Sequence, residues 1–382
     1  MSPTSDRRPS LPRVAVDLRG SCRQAGRAYG ERFAADMARQ VAAYEAVFDF
    51  LGMGADAVAR RAEAELLPPA EGVFPGYVDE LRGRAEGAGV AFRDLFPLNC
   101  IEEVWSWVGP EKRRELEELA EGSGPGGHCT TFALRRDGRV LFGHNEDWSA
   151  VDLGTTMPLH EVTAADGTCF LSLQLVGVIP WGGLNAHGLT ITANTLPATD
   201  ARAGVPNAFV LRRLLECRSL EEVWEHVRLP GRALGGYVLA GDARGRVWAM
   251  ETSARRAYRR EIDTWTAETN HFTEESLQEL GTRPVSEDSL GRLTRAEELI
   301  AAGWRRGDDL FDLARAVLTD HGGDGRSALC VHADATVAPA LQDATVASIV
   351  YEPAARRMWA ATGPACESAL GVFELPRESA AG

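Results

Sequence analysis

The 382-residue sequence lacks an apolar run long enough to cross a bilayer, and its first residues, MSPTSDRRPSLPRV, lack an apolar core of the signal-peptide type. It also lacks an excess of basic residues, since the formal net charge is −14 at pH 7. Proteins that bind nucleic acid usually present a basic surface, so this balance argues against that class. We therefore expect a soluble, cytoplasmic protein without membrane or nucleic-acid partners.

The sequence contains no CxxC pair and no regular cysteine spacing. Its seven cysteines are Cys22, Cys100, Cys129, Cys169, Cys217, Cys330 and Cys366. An odd, unevenly spaced set favours free thiols in a reducing compartment over a disulfide framework. Metal ligands could come from His128, Cys129 and His144, but the sequence offers no second, spaced pair of ligands to complete such a site. We therefore predict neither a metal site nor a cofactor.

The pattern of apolar residues divides the chain into two parts of a single α+β domain. We expect tails at residues 1–12 and 376–382 and a mainly helical part over residues 13–128, with one long helix from Gln24 to Phe50. Residues 129–375 contain short alternating runs separated by turn residues and interrupted by helical stretches. This order predicts antiparallel sheets that are covered by helices.

The chemically informative stretch is GSGPGGHCTTFALRRDGRVLFGHNEDW, which places Cys129 between a glycine-rich run and a predicted hairpin. A thiol with a pKa near ~8.5 needs activation before it can act as a nucleophile. Two routes are open: a histidine base, with His128, His144 and His271 as candidates, or the α-amine freed by cleavage of the 128–129 bond. The glycine-rich run favours cleavage, because the thiol must reach the preceding carbonyl.

Polar residues on other predicted strands and helices could assist such a nucleophile. Asn145 and Asp147 alternate along one strand and therefore share a face, where Asp147 could orient an amine and Asn145 could hold a backbone or substrate group. Asn270, followed by His271, ends another strand and could donate to an oxyanion. Arg292 could bind a substrate carboxylate in a forked geometry.

Several motifs occur in an order that resembles a known family. They include PLNCIEE, CTTFA, GHNEDW, GGLNAHGLTITANTL, ETNHF, SLGRLTRAEEL and LTDHGGDGRSALCVH. The sequence resembles the acyl-coenzyme A:6-aminopenicillanic acid acyltransferase-like proteins, a cysteine branch of the N-terminal nucleophile (Ntn) hydrolases. The resemblance implies a four-layer αββα sandwich with two stacked antiparallel sheets. It also implies a precursor that cleaves itself into an α chain, residues 1–128, and a β chain, residues 129–382, which stay associated.

The motif matches assign roles to individual residues. The resemblance implies that Cys129 is the nucleophile and, through its freed amine, the base; that Asp147 positions it; and that Asn270 contributes to the oxyanion site. An arginine thought to face the substrate matches Arg292. One position departs from the pattern: His128 precedes the nucleophile where glycine is expected. A bulkier residue there could slow the N-to-S acyl shift or alter the strain that drives it, and we still predict self-cleavage because of the preceding glycine-rich run.

The expected reaction is acyl transfer through a Cys129 thioester, on a small acyl-amide or an acyl-coenzyme A substrate. Water would resolve the thioester in a hydrolase and an amine would resolve it in an acyltransferase. One alternative is an Ntn amidase of the bile-acid or penicillin-V hydrolase type, in which the cysteine lies near the start of the precursor. Another is a catalytically inactive binding protein on the same fold.

Overall fold

The structure is a computed structural model that describes residues 11–119, 129–323 and 327–376. The glycine-rich run, with the predicted cleavage residue His128, lies outside the described residues. Most of the two predicted tails lies outside them as well.

Helices dominate the part of the chain that precedes Cys129. The α-helices are α1 (Cys22–Arg32), α2 (Ala34–Phe50), α3 (Ala55–Glu65), α4 (Leu67–Val73), α5 (Pro75–Ala88), α6 (Phe92–Leu95), α7 (Ile101–Ser106) and α8 (Pro110–Leu119), with a 3-10 helix at Phe96–Cys100. The prediction of one helix from Gln24 to Phe50 is wrong, because the backbone leaves helical geometry at Phe33 (φ −115°, ψ 24°). Helix α1 packs directly against α5: a Cβ atom on Gly26 would stand 2.0 Å from the carbonyl oxygen of Glu80.

Two β-sheets form the centre of the molecule. The first sheet has the order β1 (Arg13–Asp17), β4 (Leu159–Thr163), β5 (Cys169–Leu173), β6 (Gly183–Asn185), β7 (Thr190–Thr195), β8 (Gly236–Gly241), β9 (Val247–Thr252) and β10 (Ala257–Glu261). The second has the order β11 (Trp265–Glu268), β2 (Thr130–Arg136), β3 (Arg139–Ser149), β12 (Asp343–Glu352), β13 (Arg357–Thr362) and β14 (Gly371–Glu374). The strand pairs are antiparallel except β1 with β4, which is parallel.

The sheets stack face to face. Between them, the hydroxyl oxygens of Thr131 on β2 and Thr192 on β7 lie 2.6 Å apart. The Phe142 ring of β3 fills the space where a Cβ atom on Gly241 of β8 would stand, 2.3 Å from that ring. This close approach requires glycine at position 241.

Helices cover both outer faces. The remaining α-helices are α9 (Asn207–Leu214), α10 (Leu220–Val227), α11 (Glu287–Arg306) and α12 (Leu310–Leu318). Short 3-10 helices lie at Ala150–Asp152, Gln278–Leu280, Pro339–Leu341 and Pro353–Ala355. Helices α9 and α10 pack with the N-terminal helices on the first sheet, and α11 and α12 pack on the second. The predicted four-layer αββα sandwich is confirmed. Within the described residues, the parallel β1–β4 pair departs from the predicted antiparallel pairing.

Within the described part of the chain, no helix has both the length and the apolar character that a membrane span requires.

Candidate active site

Cys129 is placed by the hairpin that follows it. Strands β2 and β3 are joined by Asp137 and Gly138, which both have positive φ (53° and 78°), as a two-residue type I′ turn requires. The resulting register puts the start of β2 beside the far end of β3. There the backbone N–H of Asp147 donates to the Cys129 sulfur over 3.5 Å. The hairpin thus presents a buried thiol with a main-chain donor at its sulfur.

The surroundings of Cys129 favour the neutral thiol. Burial raises the pKa of the Cys129 thiol well above its ordinary value, and the nearby carboxylates of Glu146 and Asp147 raise it further. The Asp147 N–H and the Arg292 guanidinium oppose this shift. A reaction at this sulfur therefore needs a base that removes the proton.

Arg292 connects the predicted site residues. Its guanidinium is fully buried, and Nη1 donates to the carbonyl oxygen of Cys129 over 2.9 Å. Nη2 donates to Oδ1 of Asn270 over 2.9 Å, and Nε donates to Asp288 over 2.7 Å. In this conformation the guanidinium binds the protein itself and is not available to a substrate carboxylate, the partner suggested by the sequence.

Asn270 is held from three sides. Its backbone N–H donates to Ser289 Oγ over 2.9 Å, and its amide Nδ2 donates to the carbonyl oxygen of Thr195 over 3.0 Å. Since Arg292 binds the amide oxygen, the amide NH₂ is turned toward Thr195, which lines the cleft described below. His271 supports this arrangement indirectly, because its Nδ1 lies 2.8 Å from Ser289 Oγ.

Asp147 has a buried carboxyl group, and neither of its oxygens forms a hydrogen bond of normal distance and angle with another described residue. Burial raises the pKa of its carboxyl group well above the ordinary value, while the Thr345 side chain and Arg292 oppose the shift only in part. Such a group is costly in the folded chain unless it is protonated or a cation pairs with it.

Asn145 binds backbone groups. Its Nδ2 donates to the carbonyl oxygens of Leu318 and Leu329, over 3.1 and 2.5 Å, and its Oδ1 accepts from Ser348 Oγ over 2.7 Å. These bonds tie the end of α12 and the segment after it to β3. The structure therefore gives Asn145 the first of the two roles suggested by the sequence, that of holding the backbone.

A small cleft, partly open to solvent, has Cys129 in its lining. Its walls combine three tryptophans with several carboxylates. The lining includes Trp105, Trp148, Trp181, Glu102, Glu146 and Asp343. The rings of Trp148 and Trp181 stack with their centroids 5.5 Å apart. An aromatic cleft with acidic groups suits a ligand that carries a positive charge.

His144 and Glu146 lie on the face of β3 that is nearer the sulfur. His144 Nε2 lies 3.0 Å from a carboxylate oxygen of Glu146, whose other oxygen accepts from Trp148 Nε1 over 2.6 Å. The Cys129 sulfur, a His144 ring nitrogen and a Glu146 oxygen lie within 4.8 Å of one another. The sequence prediction placed the chemistry on the face of β3 that contains Asn145 and Asp147. Glu146 lies on the opposite face, together with His144, and was not predicted as a site residue.

Glu102 was also missed. Its carboxylate accepts from Thr195 Oγ1 and from Asn207 Nδ2, each over 2.6 Å. Burial raises the pKa of Glu102 despite these two hydrogen bonds. The sequence does contain an indication of Glu102: two adjacent acids interrupt the otherwise apolar segment IEEVW. Acidic side chains in a buried segment need a structural or functional reason, because burying a carboxylate is costly.

Comparison with known proteins identifies relatives of the chain. The profile of the family described as acyl-coenzyme A:6-aminopenicillanic acid acyl-transferase matches residues 134–365. A beta-alanyl-dopamine/carcinine hydrolase of Drosophila melanogaster is 27% identical over 180 residues, which are 44% of this chain and 44% of that protein. The match therefore spans less than half of that relative's length.

Solved structures of similar shape include a conjugated bile acid hydrolase from Clostridium perfringens, with a TM-score of 0.41, 12% identity and coverage of 65% of this chain and 97% of that one. A penicillin V acylase from Agrobacterium tumefaciens gives a TM-score of 0.38 at 14% identity, over 61% of this chain and 83% of that one.

Proposed function

Because the chain belongs to the acyl-coenzyme A:6-aminopenicillanic acid acyl-transferase family, we propose that it is a self-processing Ntn acyltransferase or amidohydrolase that forms a thioester on Cys129. The observation that carries this proposal is the position of the Cys129 thiol. It lies in the wall of the aromatic, acidic cleft, directly before β2, and accepts a main-chain N–H at 3.5 Å.

The first step is self-cleavage between His128 and Cys129. The Cys129 sulfur attacks the carbonyl carbon of residue 128, the C–N bond breaks, and the nitrogen takes up the thiol proton to become the α-amine of Cys129. Water then hydrolyses the thioester, which frees the thiol and leaves a carboxylate on residue 128. The hydrogen bonds from Arg292 and Asn194 to the Cys129 carbonyl, at 2.9 and 3.4 Å, hold the backbone on the other side of that bond.

The same sulfur then serves the external substrate. It attacks the substrate carbonyl, the oxyanion meets the NH₂ group of Asn270, and the amine leaves with a proton. Water or an acceptor amine next attacks the thioester and regenerates the thiol. Loss of one oxyanion donor typically lowers the rate by ~10²–10³. We therefore assign to Asn270 a large share of the stabilisation of the tetrahedral intermediate.

The freed α-amine of Cys129 is the proposed base. An α-amino group has a pKa of roughly 8, close enough to neutrality to accept the thiol proton. The buried carboxylate of Asp147 supports this assignment, because an α-ammonium group beside it would supply the missing counter-charge. His144 is the competing base. If it performed this task, His144→Gln would lower kcat by roughly 10²–10⁴, whereas we expect a change of less than about tenfold.

The proposed substrate is a small amide whose acyl group carries a protonated amine. The described lining of the cleft is acidic and aromatic and includes Glu102 and Glu146, and a Glu146 oxygen lies within 4.8 Å of the Cys129 sulfur. A beta-alanyl group, as in the name of the Drosophila relative, has such an amine. An anionic ligand of the bile-acid or penicillin-V type would meet like charge, so that alternative is less favoured.

Intact-mass measurement under denaturing conditions tests the processing step. We expect purified wild-type protein to give two masses, for residues 1–128 and 129–382, and Cys129→Ala to give the single full-length mass. Cys22→Ala, which removes a thiol in another part of the chain, should be processed like wild type. Wild-type protein that stays uncleaved would contradict self-processing.

Product analysis tests the catalytic step. Purified enzyme is incubated with a β-alanyl amide, with and without an added amine, and the released acid and any new amide are quantified. Mass spectrometry of the trapped intermediate should place the acyl group on Cys129. Failure of a cysteine-directed probe to label Cys129 in folded protein, together with no turnover, would favour the inactive binding protein instead.

A further inference from the structure

A second cluster of cysteine and histidine side chains lies outside the cleft. His321 follows α12, Cys330 and His332 lie on the segment before β12, and Cys366 lies between β13 and β14. One nitrogen or sulfur atom from each of the four residues falls within 4.8 Å of the others. Three separate segments of the chain therefore converge on one point.

The distances between these atoms fit a tetrahedral site. Zinc bonds of ≈ 2.3 Å to sulfur and ≈ 2.0–2.1 Å to nitrogen give edges of about 3.8 Å for S–S, 3.6 Å for S–N and 3.3 Å for N–N. The Sγ atoms of Cys330 and Cys366 are 3.4 Å apart. His332 Nε2 lies 3.7 and 3.2 Å from these two sulfurs and 3.2 Å from Nε2 of His321.

Hydrogen bonding alone does not account for this convergence. A ring nitrogen has either one hydrogen or one lone pair, so His332 Nε2 can form a good hydrogen bond with only one of its three neighbours. The other nitrogen of the same ring, Nδ1, lies 3.4 Å from the Glu367 carboxylate. A carboxylate on the outer nitrogen is the usual arrangement around a metal-binding histidine, because it fixes the tautomer that points a lone pair inward.

We propose that His321, Cys330, His332 and Cys366 bind one zinc ion in a tetrahedral S₂N₂ site. A zinc site here would contradict the absence of metal expected from the sequence. The expectation was based on His128 and His144 near Cys129, and on the lack of paired, closely spaced ligands in the sequence. Here a Cys-x-His pair is completed by one ligand before it and another far after it, so only the folded chain shows the set.

The site is structural, since four protein ligands leave no open position for a substrate. The metal would connect the segments of Cys330 and Cys366, which contact strands β3 and β12 on the side where α12 lies. Leu329, next to Cys330, accepts from Asn145 Nδ2, and the N–H of Ala365, next to Cys366, donates to Ser348 Oγ. Ser348 in turn donates to Asn145 Oδ1. The metal would thus hold in place the segment that binds Asn145 directly and the segment that binds it through Ser348, and Asn145 lies two positions before Asp147.

Metal analysis of the full-length protein, purified without chelator, tests the proposal. We expect about one zinc per chain by inductively coupled plasma mass spectrometry. Cys366→Ser and His332→Gln, which alter exposed ligands, should each lower that content at least tenfold. Cys22→Ser is the matched thiol control and should keep the metal. Cys129→Ala should keep it too, which separates this site from the active site and from the proposed reaction.

A reconstitution experiment adds a readout that does not depend on purification history. Chelator-treated wild-type protein should gain thermal stability on addition of zinc sulfate, and Co²⁺ in place of zinc should give the absorption bands of a tetrahedral thiolate complex. Cys366→Ser should show neither effect. The proposal is overturned if wild-type protein binds no more zinc than Cys366→Ser. It is equally overturned if peptide mapping of the freshly isolated, non-reduced protein finds a Cys330–Cys366 disulfide.

Discussion

The guanidinium of Arg292 joins the carbonyl oxygen of Cys129, at 2.9 Å, to the amide oxygen of Asn270, also at 2.9 Å. One buried side chain thereby fixes the backbone of the proposed nucleophile and the orientation of the proposed oxyanion donor. Arg292 lies on α11, which is outside both sheets. The outer helix layer is consequently part of the active-site construction and not only a cover for the core.

Replacement of Arg292 by lysine should impair both activity and stability. Lysine keeps the charge but lacks the planar fork, so it cannot serve Cys129, Asn270 and Asp288 together. Each buried acceptor left without a donor costs about 1–3 kcal/mol. We expect a lower midpoint in chemical denaturation and a fall in kcat of at least tenfold, since the Asn270 amide is no longer held.

Arg305→Lys is the matched control, because Arg305 lies on the same helix and is exposed. It should behave like wild type in both measurements. If Arg292→Lys is as active as wild type, the bond to Asn270 does not orient the oxyanion donor.

The fold was largely predictable from the sequence, and the reasons are local. Alternating apolar residues on either side of Asp137-Gly138 specify the hairpin of β2 and β3, and positive φ at both turn residues agrees with that pattern. The break between α1 and α2 was not predictable in the same way. The apolar spacing continues through Phe33, where the backbone leaves helical geometry. The close packing of α1 on α5 is a tertiary contact that the spacing of apolar residues does not report.

The site was predictable only in part. Motif matches selected Cys129, Asp147, Asn270 and Arg292, and the structure brings Cys129 next to Asp147 and joins it through Arg292 to Asn270. The motif matches could not show that the Arg292 guanidinium forms its hydrogen bonds within the protein. Those partners depend on which oxygen atoms the fold places around the guanidinium. The same limit applies to Glu102, whose helix reaches the cleft from a distant part of the chain.

Asp147→Asn should shift the pH dependence of the mature enzyme. If the Asp147 carboxylate stabilises the α-ammonium form of Cys129, its loss lowers the pKa of that amine by about 1–3 units. The acidic limb of the kcat/KM profile, which reports the free enzyme's base, should move to lower pH by the same amount. Asp152→Asn removes a buried carboxylate held by Gln40 and Tyr44 and should leave that limb in place. An unmoved limb in Asp147→Asn would separate Asp147 from the base.

Glu102→Gln should weaken selection for a positively charged acyl group. The natural comparison is between a β-alanyl amide and the corresponding butanoyl amide, which has a methyl group in place of the ammonium. A hydrogen bond to a charged group is worth about 1.5–3 kcal/mol, so the ratio of the two kcat/KM values should fall roughly tenfold or more. Most of the loss should appear in KM for the β-alanyl substrate.

The neighbouring carboxylate provides the control for that experiment. Glu103 is buried, but it binds the backbone N–H of Asn207 at 2.8 Å and is not part of the cleft lining. Glu103→Gln should therefore leave the substrate ratio unchanged. An equal fall in both variants would mean that the effect comes from helix packing and not from charge in the cleft.

Glu103 should also make stability depend on pH. Burial, followed by the nearby Glu102, raises the pKa of Glu103 from 4.5 to about 8. Between these two values the folded chain binds more protons at this site than the unfolded chain. The contribution of Glu103 is therefore fully present below about pH 4.5 and is lost as the pH rises through about 8.

Glu103→Gln cannot titrate at this position and should lose less stability over the same interval. As the pH rises, the free energy of unfolding of Glu103→Gln minus that of wild type should increase by up to about 1.4 kcal/mol per pH unit. Urea denaturation at several pH values between about 5 and 8 measures this difference. The exposed Glu275→Gln should give a curve parallel to wild type. If the Glu103→Gln curve is parallel as well, the Glu103 carboxyl is already ionised in the folded protein at neutral pH, and the raised pKa is wrong.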